Sequence, residues 1–360
     1  MIEYDVIIVG AGPAGLGAAI EAARAGARPL LLDENDKPGG QLFKQIHKFF
    51  GSKEHYAGMR GFAIGQMLLG EAQELGVEFR NNTKVWAIFP DLSVSATDGE
   101  ISVRYKAKKV ILATGASENA LSFPGCTLPG VITAGAAQTM VNVHNVLPGK
   151  QIAVVGSGNV GLIVSYQLMQ AGARIPMILE ALPAVGGYAV HAAKVRRAGV
   201  PILTGHTVMR GIGTEALEAI EIVRLDERLC PVPGTARIVP CDTLCIAVGL
   251  SPRVELACVS KCEMAYAAPL GGMLPRHNRD METSHEDILV AGDLAGVEEA
   301  STALDEGRLA GIRAAYRLGC LSESEYALAQ ARIQARLDAL RQGAHGEARS
   351  LAKQRIWQRG

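Results

Sequence analysis

One block of sequence occurs twice, and this constrains the fold more than any other feature of the chain. Residues 4–9 are an apolar, β-branched run that stops at Gly10-Ala11-Gly12-Pro13-Ala14-Gly15. An alanine-rich stretch follows over 16–25, Gly26 punctuates it, and a second apolar run over 29–32 ends at Asp33. The order returns with residues 152–155, Gly156-Ser157-Gly158-Asn159-Val160-Gly161, residues 162–170, Gly172, residues 176–179 and Glu180. Gly10 and Gly156 are 146 residues apart, as are Gly26 and Gly172, and Asp33 and Glu180 are 147 apart. The echo continues: Pro38-Gly39-Gly40 matches Val185-Gly186-Gly187, and Leu75-Gly76-Val77 matches Ala198-Gly199-Val200. Each half then closes on an apolar run ending in glycine, at Gly115 and Gly249. A repeat that keeps spacing, residue class and order over about a hundred residues predicts two copies of one fold.

A continuous β-branched run fits a parallel strand buried on both faces. The alanine-rich stretch that follows each loop has helix propensity, and its glycine is a stop signal. Strand, loop, helix and strand together take about 30 residues, the size of a βαβ unit. The expected class is therefore α/β, with two Rossmann-like dinucleotide-binding domains. Residues 288–293 read as a further strand and 299–318 as a helix, which returns the chain to the first copy. This gives a discontinuous first domain over 1–120 and 251–320, an inserted second domain over 121–250, and a polar, helical tail over 321–360. The tail, rich in Arg, Gln and Ala, reads as a packing arm or as a docking segment for a partner protein.

Thirty-six basic residues balance 36 acidic ones, which argues against nucleic acid or an anionic membrane surface as the main partner. Seven scattered cysteines are expected to be reduced thiols, as in the cytoplasm. The first residues carry no basic n-region and the first apolar run is too short for a signal or membrane helix, so no membrane span is expected and a cytoplasmic location follows.

A pyrophosphate needs backbone N–H groups at a helix N-terminus, where the helix dipole also favours negative charge. In the first loop Gly10 permits the turn, Gly12 permits close approach of the phosphates, and Gly15 permits helix and strand to pack. Asp33 stands where a ribose hydroxyl would need an acceptor. The second loop offers Gly156, Gly158, Asn159, Val160 and Gly161 with Glu180 as its acid.

The Gly10–Gly15 loop, Pro38-Gly39-Gly40-Gln41, Ala113-Thr114-Gly115 and Ala291-Gly292-Asp293 resemble the FAD-binding elements of two-dinucleotide-domain flavoproteins of the thioredoxin-reductase-like group, over about residues 4 to 315. The resemblance implies FAD on Gly10, Gly12, Pro13, Ala14 and Gly15, with Asp33 and the adjoining Glu34 toward the adenosine ribose. Gly40 and Gln41 would approach the flavin, with Ala113, Thr114 and Gly115 alongside. Gly292 and Asp293 would meet the ribityl chain or a phosphate, and the helix entered at Ser301 and Thr302 the flavin's pyrimidine edge. The second loop then falls where the family binds NAD(P)H. Glu180 favours a free ribose 2′-hydroxyl, hence NADH, and Ala181 is no partner for a 2′-phosphate. Another adenine nucleotide, or a loop kept only as scaffold, is the competing reading.

Disulfide reductases of this build carry a redox cysteine pair, and no C-x-x-C occurs here. The nearest pairs, Cys241/Cys245 and Cys258/Cys262, read as buried small hydrophobes. A closer resemblance lies in Gly39-Gly40-Gln41-Leu42-Phe43-Lys44-Gln45, His47-Lys48-Phe49-Phe50-Gly51, Gly115-Ala116-Ser117-Glu118-Asn119, Phe123-Pro124-Gly125 and Gly135-Ala136-Ala137-Gln138. These are similar to the flavoprotein α-subunits of heteromeric amine dehydrogenases, the group of opine oxidase, dye-linked proline dehydrogenase, hydrogen cyanide synthase and heterotetrameric sarcosine oxidase. The likeness implies a second flavoprotein subunit that oxidises a secondary amine or amino acid. No cysteine follows Cys320, so an iron–sulfur centre, present in several relatives, would sit on another, small subunit. Two other readings stay open: a self-contained NADH:acceptor reductase, and a nucleotide-binding assembly subunit. His47, His55, His144 and His191 read as structural, so neither a catalytic acid–base residue nor a metal ligand is assigned. Hydride transfer needs mainly positioning and exclusion of water.

Overall fold

A computed structural model describes residues 2–49, 52–343 and 346–357, so Phe50 and Gly51 of the His47–Gly51 motif lie outside the described residues. The chain divides into two compact units, Met1–Ser117 with Ser251–Gly360, and Glu118–Leu250.

In the first unit the apolar runs become the parallel strands Ile2–Val9 and Pro29–Leu32, joined by the helix Pro13–Arg24. The parallel order across the sheet is Glu78–Arg80, Pro29–Leu32, Ile2–Val9, Ser102–Leu112 and Ile288–Val290. Strands Ser93–Thr97 and Lys84–Ile88 extend it antiparallel, on the first half of Ser102–Leu112. Val6, Ile7, Ile8, Leu30 and Leu31 are buried, as strands covered on both faces require. The helix Ala300–Arg317 lies so close along Pro13–Arg24 that a Cβ on Gly307 would sit 1.9 Å from the Ala14 carbonyl oxygen. Only glycine permits that approach, and it sets the start of the second helix beside the first glycine loop.

The tail belongs to this unit. Ser322 starts the helix Glu323–Leu340 with a capping box to Glu325, and Tyr326 stacks on Tyr316 at 4.4 Å. The last helix, Glu347–Trp357, adds Ala352 and Ile356 to a small cluster with Leu270 and Leu274. Among the described residues no helix is long and apolar enough to cross a membrane.

The second unit repeats the first sheet. Its five parallel strands run Ile202–Thr204, Ile178–Glu180, Ile152–Val155, Thr243–Ile246 and Val131–Thr133, with the helix Asn159–Gln170 after the second loop. An antiparallel three-stranded sheet, His206–Ile212, Ala219–Arg224 and Arg237–Pro240, accompanies it. The expected α/β class with two Rossmann-like copies is what the chain forms. Two local expectations change. The strand expected over 176–179 is Ile178–Glu180, since Pro176 has no N–H for a ladder. Cys258 is exposed rather than buried, because in the short helix Glu255–Val259 it is Ala257 that faces the core.

Candidate functional site: two braced glycine loops

The three loop glycines do different work. Gly10 has φ +103°, and a Cβ there would sit 2.3 Å from the Ala113 carbonyl oxygen. A Cβ on Gly15 would sit 1.8 Å from the Gly10 carbonyl oxygen. The protein itself therefore demands both. Gly12 has φ −73° and its Cβ would meet nothing within 4 Å, so neither strain nor packing explains it. Its bare Cα opens onto free space at the N-terminus of Pro13–Arg24, where Pro13 supplies the preset first turn and no side chain caps the N–H groups. That is a cradle for an anionic group, and a side chain at 12 would fill it.

The elements expected to join this loop do so. The Gly39 N–H donates to the Ala11 carbonyl at 2.6 Å, and a Cβ on Gly40 would be 2.8 Å from the Gly12 Cα. A Cβ on Gly292 would be 2.8 Å from that of Ala14. Asp33 is buried and engaged: one carboxylate oxygen accepts the Ala11 N–H at 2.5 Å, the other the Asn35 N–H at 2.8 Å and its amide at 2.7 Å. The acid thus braces the loop. Glu34 pairs with Arg253 at 2.6 Å. The Arg253 side chain also donates to Ser117 Oγ at 2.9 Å, and its N–H to the Gly115 carbonyl at 3.0 Å. Thr114 Oγ1 donates to the Arg253 carbonyl at 2.9 Å. Gln41 is exposed.

On the far side, Asp293 follows Gly292 and is half-buried. Loss of water around its carboxyl, with Glu306, Glu299 and Glu298 nearby, pushes its pKa up to about 7 against the pull of the Glu298 N–H. The helix Ala300–Arg317 begins with no side-chain cap; Ser301 is half-buried and Thr302 buried. Its first N–H groups are thus available to an electron-rich ring edge.

The second unit builds the same device. A Cβ on Gly161 would sit 2.1 Å from the Gly156 oxygen, while one on Gly158 would meet nothing within 4 Å. Glu180 accepts the Ser157 N–H at 2.9 Å, its hydroxyl at 2.6 Å and the Leu182 N–H at 3.0 Å. The Gly187 N–H donates to the Ser157 carbonyl at 2.9 Å, as Gly39 does to Ala11. Asn159 Oδ1 accepts the Tyr188 N–H at 2.8 Å, and Val160 is exposed at the helix start. Each loop leaves open space beside its second glycine at a helix N-terminus with no side-chain cap, and the acid after the next strand is bonded back to the loop.

Sequence reasoning missed four groups here: Arg253, Glu306, Arg341 and Lys353. None carries a local signal, since each meets its charged partner from a distant part of the chain. It also read His55 as structural, with no partner assigned. The fold supplies one 250 residues away: His55 Nε2 meets Asp305 at 2.8 Å while Nδ1 meets Ser52 at 2.9 Å. Burial pushes the Cys241 and Cys245 thiols up to about 12, aided by the charges of Asp242 and Glu118 respectively. Among the described residues no group of three or more His, Cys, Asp or Glu side chains is disposed to hold a metal.

Residues 4–307 match the family described as pyridine nucleotide-disulphide oxidoreductase. The chain is 29% identical over 337 residues to an opine oxidase subunit from Agrobacterium tumefaciens (strain Ach5), covering 86% of this chain and 65% of that protein. It is 27% identical over 341 residues to the HcnB subunit of hydrogen cyanide synthase from Pseudomonas protegens, covering 89% and 72%. Among solved structures, thioredoxin reductase of T. acidophilum shares the fold with a TM-score of 0.74 at 20% identity, over 88% of this chain and 99% of that one. L-proline dehydrogenase of P. horikoshii gives 0.71 at 21% identity, over 94% and 59%. The chain thus spans just under two thirds of the opine oxidase protein it resembles. With its two glycine loops and the elements gathered around the first, the chain belongs to the pyridine nucleotide-disulphide oxidoreductase family.

Proposed function

We propose that this chain is the electron-transferring flavoprotein subunit of a heteromeric amine or amino-acid dehydrogenase, with an opine-, proline- or sarcosine-like substrate held largely by a partner. The observation that carries the reading is the conjunction of two facts. Relatives named as subunits of opine oxidase, hydrogen cyanide synthase and sarcosine oxidase match along 84–93% of the chain. The sequence also lacks the C-x-x-C that would let a flavin of this fold reduce a disulfide.

FAD would occupy the first loop through Gly10, Gly12, Pro13, Ala14, Gly15, Asp33, Gly40, Ala113 and Gly292, with Glu34, Gln41, Thr114, Gly115, Asp293, Ser301 and Thr302 around it. The cofactor supplies the redox chemistry. The chain's own work is to cradle the phosphates on the first helix, to aim the N–H groups of Ala300–Arg317 at the ring and to keep Asp293 at the ribityl side. NADH, or another adenine nucleotide, would lie on Gly156, Gly158, Asn159, Val160 and Gly161 with its ribose at Glu180. The expected partner is a second flavoprotein, and a further member of the complex is a small iron–sulfur protein.

Co-expression with neighbouring reading frames, followed by mass and cofactor analysis, tests this. The expected result is a complex with a second flavoprotein and dye reduction that depends on an amine. Full turnover of NADH by the lone chain, with no stable partner, would instead establish a self-contained reductase. A flavin that NADH never bleaches, in a chain required for assembly, would establish a structural role for the second loop.

A further inference from the structure

The helix Ala300–Arg317 carries two adjacent buried carboxylates, Asp305 and Glu306. Buried charges persist only when paired and hydrogen-bonded, and here the cations come largely from the tail. Arg336 donates twice to Asp305, at 2.9 and 2.8 Å. Glu306 divides its oxygens. Oε2 accepts the Gly292 N–H at 3.1 Å, and Oε1 receives Arg341 and Lys353, both at 2.6 Å.

Lys353 has no exposed surface, and its Nζ also donates to the Ala295 carbonyl at 3.0 Å. Arg341 reaches Glu298 at 2.7 Å. Gly292, Ala295 and Glu298 all belong to the short connection that carries Asp293 and delivers the N-terminus of Ala300–Arg317. The two tail cations therefore grip the flavin-side loop at three points, through Glu306, the Ala295 carbonyl and Glu298.

We propose that Lys353 and Arg341 are positioning residues for the flavin, and that the tail helices Glu323–Leu340 and Glu347–Trp357 are an internal clasp holding loop 292–299 in its cofactor-binding geometry. The proposal rests on FAD occupying the first unit. The clasp does two things. It fixes the Gly292–Asp293 backbone before the cofactor arrives, which lowers the ordering cost of binding. It also offsets the charge of Glu298 and Glu306, which would otherwise oppose an anionic pyrophosphate and a reduced flavin.

The test compares full-length wild type with Lys353→Met, Arg341→Gln and, as a control at an exposed position of the same tail, Arg332→Ala. Apoprotein is titrated with FAD by fluorescence quenching, the flavin midpoint potential is measured on the reloaded protein, and hydrogen exchange is followed over residues 291–299. The expected result is FAD affinity weakened about tenfold or more in both clasp variants. Their potential moves to more negative values and exchange is faster over 291–299, while Arg332→Ala matches wild type. Arg341→Gln keeps the readout if Lys353→Met fails to fold. Clasp variants that melt earlier yet keep wild-type FAD affinity and potential overturn the proposal and leave the tail a purely stabilising role. Wild-type apoprotein that takes up no FAD overturns the cofactor reading, and the proposal with it.

Discussion

The Asp33 carboxylate holds the Ala11 backbone N–H at 2.5 Å, and Glu180 holds the Ser157 N–H at 2.9 Å in the matching place of the second unit. In both copies the acid that ends the second strand clamps the middle of the preceding glycine loop. A hydrogen bond to a charged acceptor contributes about 1.5–3 kcal/mol, so each acid shapes its loop before any ribose is bound. Asp33→Ala is therefore expected to lower both thermal stability and FAD content. With NADH on the second loop, as proposed, Glu180→Ala should leave FAD content unchanged and raise KM for NADH. Flavin absorbance per chain and NADH titration separate the two effects.

Gly12 and Gly15 should part company on substitution. At Gly12 the backbone is ordinary and the space is open, so Gly12→Val is expected to fold with near-normal melting and to lose the yellow colour. At Gly15 a methyl group meets the Gly10 oxygen at 1.8 Å, so Gly15→Ala should cost about 2 kcal/mol or more. Melting curves of the two apoproteins, with the absorbance ratio at the flavin band, read the difference.

Asp293 makes apoprotein stability depend on pH in an unusual direction. Its folded pKa, near 7, lies above the ordinary carboxylate value, so the folded chain holds a proton that the unfolded chain has released. Its contribution is present at low pH and is lost as pH rises from about 4 to about 7. Melting temperatures of wild type and Asp293→Asn, compared across that window, should converge at the acid end, with wild type falling behind as pH rises.

Asp305 and Glu282 act in the opposite sense. Burial alone would raise Asp305, but hydrogen bonds from His55 and Arg336, the charge of Arg336 and a bond from Arg308 hold it down at about 2. Burial likewise opposes Glu282, and hydrogen bonds from Arg313, Arg317 and Asn278 bring it to about 2. Stability from both is present above the ordinary carboxylate pKa and is lost as pH falls from about 4 to about 2. Asp305→Asn should cost about 3–5 kcal/mol at neutral pH, because Arg308 and Arg336 are left in a buried site without their charge partner, and should flatten the acid limb of the urea midpoint.

The thiols offer a check on the proposal that no cysteine takes part in flavin reduction. Cys230 and Cys258 are exposed, whereas Cys241, Cys245 and Cys262 are buried with raised pKa values. Native alkylation should label the first two and spare the other three, and flavin reduction should survive it. Loss of flavin reduction on labelling would bring a cysteine back into the reaction.

The α/β class, the duplicated nucleotide fold and the glycine loops were all legible in the order of residues alone. They depend on short-range rules: β-branched runs for buried strands, a glycine where backbone meets backbone, an acid at the end of the second strand. The elements around Gly40, Ala113 and Gly292 were legible through their likeness to a flavoprotein group, because each keeps a compact local motif. Other features emerged only on folding. Asp33 and Glu180 also brace their loops, Arg253 ties Glu34 to the chain beside Gly115, and a polar-looking tail buries Lys353 and Arg341 against Glu298 and Glu306. Those outcomes depend on which charges meet across tens to hundreds of residues when water is removed. A lysine in an Arg- and Gln-rich helix reads as solvated until a folded carboxylate stands 2.6 Å from it.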